Sequence, residues 1–104
     1  MNIAVIGDYT SPKYKDLLQL VKCHKPEETL FDLSRHQTGT WVQLMNKRFA
    51  DISNSHMVLI GQGWKTNFDM KRDITQAQAL HKECLVESDG KFIPFPTGTY
   101  SDYK

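Results

Sequence analysis

The chain has 104 residues, 13 basic and 12 acidic, with a net charge of +1 and an apolar content of 39%. That length makes one domain with one core, and that composition excludes a disordered chain. The balanced charge shows no basic stripe for nucleic acid, and no run approaches the ~20 apolar residues of a membrane span, so neither partner is expected.

The first element is Asn2 to Gly7, NIAVIG, an apolar β-branched run that reads as a central strand. The opening MNIAVIGDY lacks the basic n-region and cleavage site of a secretory signal. The loop Gly7-Asp8-Tyr9-Thr10-Ser11-Pro12 follows. Ser11 is a good N-cap and Pro12 a good first helical residue. The spacing predicts a helix from Pro12 to Cys23, with Tyr14, Leu17, Leu18 and Val21 on one face. Thr29 to Leu33 is a second strand, and Ser34 to Gly39 a polar loop. Thr40 caps a second helix with Trp41, Leu44, Met45 and Phe49 inward. His56 to Ile60, HMVLI, is the third strand. Asn67 caps a third helix whose apolar stripe is Met70, Ile74 and Ala77, with His81 near its end. Glu83 to Val86 is a fourth strand, Ser88-Asp89-Gly90 a turn, and Lys91 to Phe95 a fifth, antiparallel strand. Pro94 and Pro96 suit the edge of a sheet.

Alternating strands and helices mean a parallel sheet with right-handed crossovers. The expected fold is α/β, a three-layer flavodoxin-like or Rossmann-like sheet with strand 1 between strands 2 and 3. Residues 1–95 form its single domain and 96–104 a loose polar tail. In such sheets ligands bind outside the carboxyl ends of the strands, where the strand order reverses. The loops at Asp8–Pro12 and Gly61–Asn67 then face each other, with Ser34–Gly39 as a third wall.

Gly61 to Ala77, GQGWKTNFDMKRDITQA, is the most informative stretch. A buried strand feeds a polar loop, the loop feeds a helix, and Asp73 sits early in that helix. Asp73 is the candidate catalytic carboxylate. Asp8 and Tyr9 on the first loop, and Gly63, Trp64 and Asn67 on the later one, are the candidate ligand-binding residues. Each has a plainer role open to it: Asp8 as a turn former, Tyr9 as cover for the sheet end, Trp64 as core, Asp73 as a solvated helix residue. His36 and His56 have no third ligand at metal-binding spacing. Cys23 and Cys84 form no CxxC pattern and read as reduced thiols of a cytoplasmic protein. No GxGxxG or Walker motif occurs, so no dinucleotide, triphosphate or other cofactor is expected.

The opening strand and loop, the apolar strand HMVLI, the pair Gly63-Trp64, and Asp73 with Ala77 four residues on resemble the small phage and bacterial members of the nucleoside 2-deoxyribosyltransferase-like superfamily. The resemblance covers nearly residues 1–86. It implies a pocket for a nucleoside or nucleotide, with Asp73 where the family carries its catalytic Glu. It also implies a homodimer or larger assembly with the pocket near the interface. Three positions depart from that pattern. Asp73 is one methylene shorter than Glu, ~1.5 Å of reach, and a ~1 Å misplacement costs about a hundredfold in rate. Asp69 replaces a small residue near the helix start. His56 replaces an acidic residue at the start of the third strand.

Two function classes follow. The chain binds a nucleoside or nucleotide-like molecule with slow or no turnover, in a sensing or sequestering role. Alternatively, it is an N-glycosidic-bond hydrolase or deoxyribosyltransferase, with Asp73 as nucleophile, Asp8 or Tyr9 orienting the sugar and Trp64 holding the base. An electron carrier fits less well, since the first loop lacks a Ser/Thr-rich phosphate cradle. An enzyme places Asp73 on an open cleft beside Asp8. A binder keeps the cleft with Asp73 buried or paired. A module for protein contacts alone has no cleft.

Overall fold

The structure, a computed structural model, describes residues 1–33 and 38–95. Most of the expected third wall, His36 included, and the tail from Pro96 onward lie outside the described residues. The element order is β1 (Asn2–Ile6), α1 (Lys13–His24), β2 (Thr29–Asp32), α2 (Trp41–Ser53), β3 (Met57–Ile60), a 3-10 turn (Trp64–Thr66), α3 (Phe68–Ala79), β4 (Glu83–Ser88) and β5 (Lys91–Pro94). The strands form one sheet in the order β2-β1-β3-β4-β5. The first four strands are parallel, and β5 pairs antiparallel with β4.

The alternation of side chains along β1 decides how the helices attach. Ile3 and Val5 join Tyr14 and Val21 of α1 in one cluster, with Met57 and Leu59 of β3. Ala4 and Ile6 join Ile52 of α2 and Met70, Ile74 and Ala77 of α3 in another, with Val58 and Ile60. Side chains on a strand point to opposite faces with a period of two. Alternate residues of β1 therefore pack with different helices, Ile3 and Val5 with α1, and Ala4 and Ile6 with α2 and α3.

Local sequence sets the helix starts. The Ser11 hydroxyl accepts from the Lys13 N–H at 3.2 Å, and Pro12 takes helical angles just before α1. Thr40 and Gln43 form a reciprocal capping box at α2. The Asn67 side chain accepts from the Met70 N–H at 3.1 Å at the start of α3. The β4–β5 hairpin turns through Asp89 and Gly90, both at positive φ, the conformation that two-residue hairpins require.

The inward face of α2 differs from the expected one. Trp41 is 61% exposed and Phe49 41%. Asp51 and Ile52 are buried, with Leu44, Met45 and Arg48 half-buried. Phe49 falls on the flank of that stripe. Trp41, in the first turn, sits beside the Arg72 guanidinium of α3, 5.2 Å from its ring centre. Helical periodicity gave the azimuth of these residues, but the reach of the neighbouring elements decided which of them were covered.

Candidate functional site

Gly7 directly follows strand β1 and Gly61 directly follows strand β3, and both glycines lie against α1. A Cβ on Gly7 would stand 2.6 Å from a Tyr14 ring carbon, and one on Gly61 would stand 2.8 Å from a Leu17 methyl. The Gly61 N–H donates to the Ile6 carbonyl at 2.9 Å, so the two strand ends stay joined. Beyond them the chains part. The β1 loop goes to one side into α1, and the β3 loop to the other into α3. Gly63, at φ +88°, makes the sharp turn that starts the 3-10 turn.

A cleft of about 1000 Å³ opens at this divergence. Gly7, Asp8 and Ser11 line it from the β1 loop, and Lys13, Tyr14 and Asp16 from the first turn of α1. Gly61, Gln62 and Gly63 line it from the end of β3, and Asn67, Phe68 and Asp69 from the start of α3. Glu87 closes it from the end of β4. The cleft thus lies at the carboxyl ends of the strands, where the order reverses between β1 and β3.

Two sets of polar contacts involve residues of the cleft wall. Asp8 Oδ1 accepts from both the Thr10 N–H at 3.1 Å and the Thr10 hydroxyl at 2.6 Å. The Gln62 amide donates to Glu87 Oε2 at 2.6 Å, bridging the β3 loop and β4 across the rim. Phe68 is 76% exposed on the same rim. One of its ring faces lies 5.7 Å from the Arg72 guanidinium carbon.

Three of the six candidate residues, Asp8, Gly63 and Asn67, line the cleft. The other three do not. Trp64 is 6% exposed and packs edge-on against Phe95, with ring centres 4.8 Å apart, inside the α2/α3 cluster. Tyr9 turns its ring edge-on to Tyr14 at 5.0 Å, under the Arg48 guanidinium at 4.9 Å. Its hydroxyl faces Asp73 Oδ2 at 3.3 Å. Asp73 itself is 2% exposed.

This buried group sits between the β1 loop, α2 and α3. Burial pushes the Asp73 carboxyl up to about 6, against the opposing pull of Arg48, Arg72 and the Tyr9 hydroxyl. Burial, and then the charge of Asp73, hold the Tyr9 hydroxyl well above its usual range. Arg72 also donates to Asp69 at 2.8 Å. The Nε atoms of Arg48 and Arg72 have no hydrogen-bond partner among the described residues. Tyr14, on the other side of Tyr9, donates to Asp32 at 2.8 Å. Asp73 as placed presents almost no surface to a molecule in the cleft.

His56 lies at the opposite end of the sheet. Its Nδ1 accepts from the Asn2 N–H at 3.1 Å, and its own N–H donates to the Asn2 carbonyl at 2.8 Å. It fastens the start of β3 to β1. Of the two thiols, Cys23 is exposed, and burial pushes Cys84 up to about 11.

The reading from sequence passed over Phe68, Lys13, Gln62 and Glu87. Phe68 carried a signal, since an aromatic residue directly after a capping Asn stands at the mouth of a switch-point loop. Glu87 carried none, because only the pairing of β3 with β4 brings it to the rim. Compared with known proteins, the chain matches no protein-family model and no curated protein.

Proposed function

We propose that the chain binds a nucleoside or nucleotide-like small molecule in the β1/β3 cleft, with slow or no turnover, in a sensing or sequestering role. One observation carries this reading. The cleft is open at the switch point, while the carboxylate expected to do chemistry, Asp73, is 2% exposed and bonded to Tyr9. A pocket keeps affinity without attack geometry, because binding and transition-state stabilisation are separate quantities. The three-layer, flavodoxin-like reading of the fold is supported by the strand order and by the separate clusters on the two faces of β1.

In this reading Phe68 takes the role first assigned to Trp64. Its exposed ring offers a face to a base, and base–aromatic stacking contributes about 1–3 kcal/mol. Asp8 keeps Oδ2 for a sugar hydroxyl while Oδ1 is held by Thr10. Gln62, oriented by Glu87, offers an amide to a base edge. The resemblance to the deoxyribosyltransferase-like superfamily points to the same ligand class.

The test is calorimetric titration with nucleosides and nucleoside monophosphates, with free base followed by chromatography. Binding without base release, weakened about tenfold or more by Phe68→Ala, is the expected result. An absence of binding overturns the reading. Base release at ordinary enzymatic rates, abolished by Asp73→Asn, makes the chain an N-glycosidic-bond enzyme instead.

A further inference from the structure

The charges around the cleft are unequal. Among the described lining residues Asp8, Asp16, Asp69 and Glu87 are acidic, and Lys13 is the one cation. Arg72, outside the lining, answers Asp69 at 2.8 Å. Counting both cations leaves a balance of two negative charges.

Two helix N-termini, those of α1 and α3, also open on the cleft, and such ends favour anions. Together they supply roughly +1 of charge, at about half a charge each. Each end is already answered by the chain itself. Ser11 and Asn67 take up N–H groups at the two ends, and Asp16 and Asp69 stand in the two first turns. The sum stays negative. Phosphate sites instead combine free backbone N–H groups with Arg or Lys forks.

We propose that the cleft selects an uncharged or cationic nucleoside-like molecule and repels the phosphorylated form of the same compound. This rests on the reading that the cleft binds nucleoside-like molecules, and it settles which members of that class enter. The acids have a positive use as well. A carboxylate accepts two hydrogen bonds from neighbouring hydroxyls or from an exocyclic amine, so Asp8 and Glu87 suit the donors of a sugar and a base.

The experiment titrates the intact chain with the four 2′-deoxynucleosides and with their 5′-monophosphates, at low and at high salt. At least one nucleoside is expected to bind about tenfold or more tightly than its monophosphate at low salt, with the gap narrowing as salt screens the repulsion. The double variant Asp16→Asn/Asp69→Asn keeps neutral groups of the same shape at two exposed positions in the first turns of α1 and α3. It is expected to reduce the gap by about threefold or more while leaving the nucleoside bound. If every nucleoside that binds is matched in affinity by its monophosphate, this inference is overturned and the binding reading stands. A gap unchanged in the double variant overturns it too, since the acids then do not cause the selection. If neither form binds at either salt, both readings fall.

Discussion

Replacing Asp73 with Asn tests the electrostatics of the site directly. Burial pushes the carboxyl up from its ordinary 3.8 to about 6 in the fold. That difference corresponds to about 3 kcal/mol. The group is 2% exposed, so solvent screening takes little from it. Below the unfolded value both states are protonated and the fold bears no cost. As the pH rises toward about 6, the unfolded chain ionises first and the folded chain keeps its proton. This contribution to stability is therefore present at acid pH and is lost as pH climbs through the folded value. Asn removes the titration and keeps an oxygen for the Tyr9 hydroxyl, but it adds amide donors that cost about 1 kcal/mol if unmet. Asp73→Asn is thus expected to be about 2 kcal/mol more stable than the parent near neutral pH. Near the unfolded value it should be about 1 kcal/mol less stable. Urea unfolding of both proteins across that range gives the difference at each pH. A difference flat with pH, or a variant less stable than the parent near neutrality, would show that Arg48 and Arg72 hold Asp73 as a stable ion. The burial argument would then be wrong.

Tyr9→Phe removes the hydroxyl that steadies the ionised form of Asp73, so the carboxyl should titrate higher still, read by carboxyl-carbon NMR, with about 0.5–1.5 kcal/mol lost from stability. Gly7→Ala drives a methyl into the Tyr14 ring and should cost about 1–3 kcal/mol in chemical denaturation, with a smaller loss expected if Tyr14 is shortened to Leu in the same chain. Trp64→Ala should cost about 3–5 kcal/mol, as expected for a core aromatic. Trp41→Ala, at an exposed position, should stay within about 0.5 kcal/mol of the parent, and equal thermal shifts for the two would contradict their placements.

Some of this molecule is determined by residues a few positions apart. The caps at Thr40 and Asn67, the Asp89-Gly90 turn and the stripe Met70, Ile74, Ala77 depend on local hydrogen bonds and on period, so they are legible in the chain. The strand-helix alternation likewise implied a parallel sheet with β1 between β2 and β3, because short right-handed crossovers leave few other arrangements. The loops at Asp8 and Gly63 were legible as cleft walls for the same reason. The directions of individual side chains were not. Trp64, on a polar loop, turned inward because Phe95 at the far end of the chain supplies an apolar partner. Asp73 was buried because α2 brings Arg48, and the β1 loop brings Tyr9, over the helix that carries it. Glu87 reached the rim only through the register of β4 against β3. Burial and charge at the site are sums over elements distant in sequence, and those sums exist only once the sheet has assembled.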